Sequence, residues 1–460
     1  MTRLRIFGVA LLAILIVFSM VSFAGEHSLD KGAKLLKTST NDDKATFLIN
    51  NIFNYYSNNG DASYNTYTGA SGLEWPKGSG NTAIFAEGLV WSGYHGAKVA
   101  ANLKTGGSAY RHGLQAGRIT NSGLPWASLV AANAGDAANH TYRVRPDINP
   151  SKTFDEVKTI LEEEEVPLIS RDASTSAQEL YDRYIADWNN WPATQGAPFD
   201  DKNGNGIYEP TIDVPGVPGA DQTLWHVSND LDAERTTYMY GSNPIGLEYQ
   251  RTIWGYRRTG ALGNTVFMRN KIINKSDTPL DSAFFAQWSD PDLGDAADDY
   301  VGCDIPRSLG YVYNGRARDT YYGDRPPAAG YDFFQGPIVA APGDSGIFNN
   351  QRRYDVQNLG MSAFNFFINS SATYTDPTQG QYIGTGHWYN LMNGKVAPTG
   401  ADNIDKETGM VTKFMFSGDP TTGKGWIEGT VTGSLAPPGD RRLCSVTGGP
   451  SLWHLVILRK

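Results

Sequence analysis

Cysteine is almost absent. Cys303 and Cys444 are the only two in 460 residues, a count that excludes a disulfide framework. A single bridge between them has no spacing rule behind it, and Cys303, set between Gly302 and Asp304, reads as a small buried residue. Basic charge is also short. Lys and Arg number 39 against 48 Asp and Glu, so the formal net charge is −9, a balance that argues against phosphate backbones and anionic membrane surfaces as partners; no nucleic acid is expected. After the first 24 residues no run is apolar enough to cross a bilayer, so no transmembrane segment is expected in the mature chain.

Familiar catalytic signatures are missing as well: the sequence has no HExxH, no GxSxG and no phosphate-cradling Gly-Lys loop. Gly343-Asp344-Ser345-Gly346 matches the tetrapeptide around the nucleophile of trypsin-like proteases. Pro342 makes it an ordinary turn, and the placed His and Asp of a triad have no counterpart. His95 and His112 lack a Cys or a second His at ligand spacing. Asp232, Glu234 and Glu248 could form the carboxyl pair of a glycosidase, yet nothing in their spacing selects them from the other acidic residues.

What is abundant is turn-forming and aromatic: 51 Gly, 24 Pro and 12% Phe, Trp and Tyr describe short strands joined by many turns. Residues 1–24 read as a secretory signal, with Arg3 and Arg5 as the basic region, an apolar run from Ile6 to Val21 and Ser22-Phe23-Ala24 at the cleavage position. Residues 25–150 read as an N-terminal β module, with strands in Lys44–Tyr56 and Ala83–Tyr94. Residues 151–192 form the one helical segment. There Phe154, Val157, Ile160 and Leu161 recur at helical spacing, and Ser176 with Glu179 makes a capping box ahead of Leu180, Tyr184 and Trp188. The run Glu162–Glu165 is expected to be solvated.

Residues 193–220 hold a calcium-type loop. Taking Asp201 as position 1 puts Asn203 at 3, Asn205 at 5, Gly206 at 6, the Ile207 carbonyl at 7 and Glu209 at 9, which is how a Ca²⁺ loop spaces its oxygen ligands. The match then departs from the EF-hand: position 12 is Ile212, Asp213 comes one step late, and Pro210, Pro215 and Pro218 forbid a following helix. The plain alternative is an Asn-Gly turn. Residues 221–443 read as a large antiparallel β-sandwich, with strands over 224–227, 247–256, 265–273, 282–288, 309–313, 331–339, 363–368, 386–392, 411–416 and 424–431.

The stretch Trp288–Asp304, WSDPDLGDAADDYVGCD, carries Asp290, Asp292, Asp295, Asp298, Asp299 and Asp304 without a single Lys or Arg. Like charges a few Å apart cost on the order of 1 to 4 kcal/mol per pair, so a folded loop of this composition calls for a cation. Hard, flexible oxygen ligation suits Ca²⁺; the alternative is a solvated acidic loop.

Four segments, Ser228–Glu248, Gln287–Asp304, Phe364–Ser370 and Gly72–Gly80, resemble large uncharacterised secreted proteins of Bacteroidota and Ignavibacteria-type bacteria over nearly all of the mature chain. The resemblance implies export through type IX secretion and brings no catalytic residues with it; the sorting domain that usually ends such proteins is absent here. A neighbouring-frame reading of Pro450–Lys460 gives a strand-and-turn sequence, so a change of frame is expected near Leu443 or Cys444, with 444–460 as a non-native tail. The sequence thus points to a mainly β, secreted or cell-surface protein stabilised by Ca²⁺, with a structural or adhesive role and glycans or cell-envelope components as partners. The alternative is a carbohydrate-binding or carbohydrate-active extracellular protein.

Overall fold

The computed structural model describes residues 43–449, apart from 111, 349, 350 and 438. The expected signal segment and residues 450–460 lie outside the described residues. In chain order the principal strands are β1 (Ala86–His95), β2 (Leu103–Gly107), β3 (Tyr142–Val144), β4 (Gln222–Asn229), β5 (Leu247–Gly255), β6 (Phe267–Asn274) and β7 (Leu280–Asp290). They continue with β8 (Asp299–Asp304), β9 (Leu309–Asn314), β10 (Ala328–Asp332), β11 (Ile338–Phe348), β12 (Gln351–Asn358), β13 (Ala363–Phe367) and β14 (Arg442–Gly448). The helices are α1 (Phe154–Glu164), α2 (Val166–Ile169), α3 (Ala177–Asn189), α4 (Ala233–Tyr240) and α5 (Tyr382–Met392).

One five-stranded antiparallel sheet runs β13-β14-β7-β1-β2. A second runs β3-β4-β5-β6, with Gln115–Ala116 also pairing with β4. Strands β8-β9-β10 form a third sheet, and β11 pairs only with β12. Alternation along the strands decides what each face meets. In the first sheet Val90, Phe284, Ala286, Trp288, Cys444 and Val446 pack on Tyr240 of α4 and on Trp388 and Leu391 of α5. Their neighbours Leu89, Trp91 and Phe285 point the other way, onto Leu247 and Tyr249 of the second sheet. Phe364, Phe366 and Leu443 meet Val301, Cys303 and Val312 of the third.

The fold is therefore mainly antiparallel β with short helices, and the single large sandwich expected over 221–443 is not what forms. Among the described residues, that region divides among three sheets, two hairpins and two helices. Strand β1, from the expected N-terminal module, lies beside β7, so the two regions share one sheet. Two segments expected to be extended are not. Tyr382–Met392 is helical because Gly384, Trp388, Leu391 and Met392 bury one face at spacings of three and four. Lys424–Val431 turns repeatedly, with Gly425 and Gly429 at φ +83° and +92°, and only Val411–Thr412 of 411–416 is strand. Strand β14 sits between β7 and β13 with every residue buried. Both cysteines are free and buried.

Helix α3 is capped as its sequence predicts, by the reciprocal box of Ser176 with Glu179, and α1 carries a second such box of Thr153 with Glu156. The glutamate run is a different matter. Glu165 is fully buried, taking Arg145 Nη1 at 2.8 Å and the Tyr184 hydroxyl at 2.7 Å, with Arg143 Nη1 at 3.4 Å. The sequence reading missed this because Arg143 and Arg145 lie on β3 and just beyond it, whereas a local pattern sees only the exposed Glu162 and Glu163. Among the described residues no helix is long and apolar enough to cross a membrane.

Candidate metal centre

The antiparallel register that sets Ser289 against Leu443 brings the end of β7 beside the start of β14. Asp290 is the last residue of β7, Asp292 follows after Pro291, and Asp440 stands two residues before β14. One carboxylate oxygen from each of the three lies within 4.8 Å of the others. Oxygens bound at about 2.3–2.6 Å to one hard cation sit up to about 5 Å apart, so the group has the span of a coordination sphere. These residues could hold a divalent cation.

The electrostatics agree with that assignment. Arg442 Nε stands 3.2 Å from Asp290 Oδ1 and its Nη2 stands 2.9 Å from Asp440 Oδ2. The guanidinium thus faces two of the three carboxylates. Asp290 is fully buried, and burial pushes its carboxyl well above the ordinary value against the pull of Arg442. Asp292 is pushed up to about 7, first by burial and then by the charge of Asp440, while a 3.3 Å bond from the Ser71 hydroxyl opposes the shift. Its Oδ1 is buried with no hydrogen-bond partner. Polar atoms in that condition mark a place where a ligand, water or proton belongs.

The other four aspartates of the stretch take separate places. Asp299 is buried and accepts the Leu293 amide at 3.1 Å; burial raises its carboxyl well above the ordinary range. Asp298 is buried with Arg316 Nε at 3.8 Å, and burial followed by the charge of Asp295 raises it as well. Asp295 caps the short turn Ala296–Asp298 and accepts the Thr320 hydroxyl at 2.9 Å. Asp304 pairs with Arg307, away from the cluster. Gly294 lets the loop close: its φ is +71°, and a Cβ there would stand 2.4 Å from Asp319 Oδ1.

Asp440 escaped the sequence reading. It was visible only as the end of a Pro-Gly-Asp turn, and no local pattern joins it to a loop about 150 residues earlier. Of the glycosidase candidates, Glu248 is buried and accepts the Ile119 amide at 2.9 Å, Asp232 caps α4 through the Glu234 and Arg235 amides, and Glu234 is exposed. Each of the first two already has a structural role.

The second expected site, over Asp201–Asp213, is carried by a two-residue ladder in which Asp200 pairs with Val214. Asp201 accepts the Gly204 and Gly206 amides, both at 2.7 Å, and so folds the loop around its own carboxylate. Asn203 and Asn205 both donate to Glu209 Oε2 at 2.7 Å, which brings three expected ligand side chains together. Asn205 Oδ1 in turn accepts the amide of Ile207, whose side chain is exposed. Asp213 is buried in the neck of the loop, accepting Lys202 N at 2.9 Å and Glu209 N at 2.8 Å, so both its oxygens serve closure.

Comparison of the chain with family models, with curated proteins and with solved structures found no match.

Proposed function

We propose that the chain is a secreted or cell-surface protein with a structural or adhesive role, its β scaffold clamped by Ca²⁺. The observation that carries the reading is the meeting of one carboxylate oxygen each from Asp290, Asp292 and Asp440 within 4.8 Å, with Asp292 Oδ1 buried and without a hydrogen-bond partner among the described residues. Ca²⁺ fits better than Zn²⁺ or Mg²⁺ on donor chemistry, because the donors are all oxygen and the third comes from a distant loop with room to adjust. A cation here would tie the end of β7 to the chain entering β14, at the middle of the first sheet. The 201–213 loop supports the same reading through Asp201, Asn203, Asn205, Glu209 and the Ile207 carbonyl, with Asp213 holding the neck.

Export rests on the N-terminal signal pattern and on the resemblance to secreted proteins of Bacteroidota and Ignavibacteria-type bacteria; glycans and cell-envelope components are the partners it implies. The test is calcium titration of the intact protein and of Asp440→Asn and Asp201→Asn variants. Each substitution should remove one class of bound Ca²⁺ and leave the other, whereas unchanged stoichiometry in both variants would reject the clamp.

A further inference from the structure

Helix α3 ends at Asn189, and the chain passes through Trp191 and Thr194 to the ladder that carries the Asp201–Asp213 loop. Between the two runs lies a cavity of about 330 Å³, walled on one side by Asn189–Trp191 and Thr194 and on the other by Phe199, Gly206–Tyr208 and Pro210. Its aromatic walls are fixed in place. Trp191 Nε1 donates to the Pro198 carbonyl at 2.7 Å, and the Tyr208 hydroxyl donates to the Trp188 carbonyl at 2.7 Å. Trp188 Nε1 donates to the Pro210 carbonyl at 3.0 Å, which ties the helix end to the loop. Phe199 and Tyr208 meet edge to face with centroids 5.5 Å apart, and both are half-buried, so a corner of two rings borders the space.

The polar part of the lining is neutral. Asn189 has no side-chain hydrogen bond among the described residues, Asn190 donates through Nδ2 to the Ala186 carbonyl and keeps Oδ1 free, and the Thr194 hydroxyl has no protein partner. Among the described residues no Lys, Arg, His, Asp or Glu lines the cavity. A phosphate, carboxylate or amine would find no counter-charge there, and the exposed Asn189, Asn190 and Thr194 at the rim offer hydrogen bonds that a wholly apolar ligand would not use. What satisfies both walls is a neutral ring with one apolar face and several hydroxyls. The volume is at the low end of small-molecule sites, which run from about 300 to 1,000 Å³, and so suits one ring.

We infer that this cavity binds the terminal neutral sugar of an extracellular glycan, with the Asp201–Asp213 loop forming one of its walls. The sugar site follows from the lining; its dependence on a cation rests on the proposed Ca²⁺ occupancy of the loop. Occupancy of the loop would brace Gly206 and Ile207 and so hold the wall.

Trp191 lines the site, so intrinsic fluorescence of the full chain reports binding. Glucose, galactose, mannose and N-acetylglucosamine are titrated separately in excess Ca²⁺, into the wild type and into Asn189→Ala and Thr194→Val, which remove groups with no protein partner and leave the fold intact. At least one sugar should saturate, each variant should weaken it about tenfold, the loss of one hydrogen bond, and Asp201→Asn should weaken the sugar and loop Ca²⁺ together. Failure of all four sugars to saturate, or saturation equal in wild type and both variants, would overturn the assignment. Sugar binding that persists when Asp201→Asn has lost its Ca²⁺ would keep the sugar site and reject its cation dependence.

Discussion

Replacing Glu165 by alanine should cost the protein about 3–5 kcal/mol, the range for leaving a buried ion without its partner. Glu165 Oε1 takes Arg145 Nη1 at 2.8 Å and the Tyr184 hydroxyl at 2.7 Å, and Oε2 faces Arg143 Nη1 at 3.4 Å. All four side chains are buried. Arg145 keeps Asp147 at 2.7 Å and Glu164 at 3.0 Å, so part of its charge stays compensated; Arg143 keeps only the Thr46 hydroxyl at 2.6 Å among its side-chain hydrogen-bond partners. The loss therefore falls mainly on Arg143 and on the tyrosine. Glu165→Gln, which retains an acceptor for Tyr184, should cost less. Glu163→Ala, two residues away and exposed, should stay within about 0.5 kcal/mol. Equilibrium urea unfolding of the three variants measures this ordering. A Glu165→Ala loss no larger than that of Glu163→Ala would refute the buried network.

Other consequences can be checked in the same preparations. His140 Nε2 bonds Asp187 at 2.7 Å and Nδ1 bonds the Ala137 carbonyl at 2.8 Å; burial would lower its pKa, but these acceptors outweigh burial and raise it. Its stabilisation should be complete below about pH 6.5 and fade as pH rises through the folded-state value, and His140→Gln should flatten that segment of the stability profile. Asp292, at about 7 in the fold against about 3.9 unfolded, disfavours the cation-free fold increasingly as pH climbs between those values. Because Ca²⁺ needs the ionised carboxyl, its affinity at this site should rise over the same window, and calorimetric titrations at about pH 5 and about pH 8 would expose a pH-independent affinity if the proposal is wrong. Cys303 and Cys444, with thiols pushed up by burial, should resist alkylation in the native protein and react on unfolding; labelling before unfolding would contradict their placement.

The strands were largely legible because apolar, β-branched and aromatic runs closed by turn residues are a local signal: 222–229, 247–255 and 280–290, buried along almost their whole length, stand close to where those runs put them. Helices α1 and α3 were legible for the same reason, through spacing and, in α3, its cap. The arrangement of those strands was not. That β1 would lie beside β7, and β14 between β7 and β13, depends on pairings nearly two hundred residues apart for the first. Helix α5 was misread since Gly, Trp and Tyr in YIGTGHWYNLM suit a strand by composition, while the buried positions follow the helical period. At the candidate site the sequence supplied Asp290 and Asp292 and overcounted their neighbours. It could not separate a ligand such as Asp292 from a cap such as Asp295, since both are aspartates in one acidic run, and Asp440 reaches the cluster only through the sheet.

Thermal unfolding in excess Ca²⁺ and then in excess chelator tests the central claim most directly. Ligand at a hundred times its dissociation constant stabilises the fold by about 2.7 kcal/mol, so the account predicts a clear fall in Tm on chelation, reduced in Asp440→Asn. An identical Tm in Ca²⁺ and in chelator would mean that Asp290, Asp292 and Asp440 are balanced without a bound metal ion, and the calcium clamp would be abandoned.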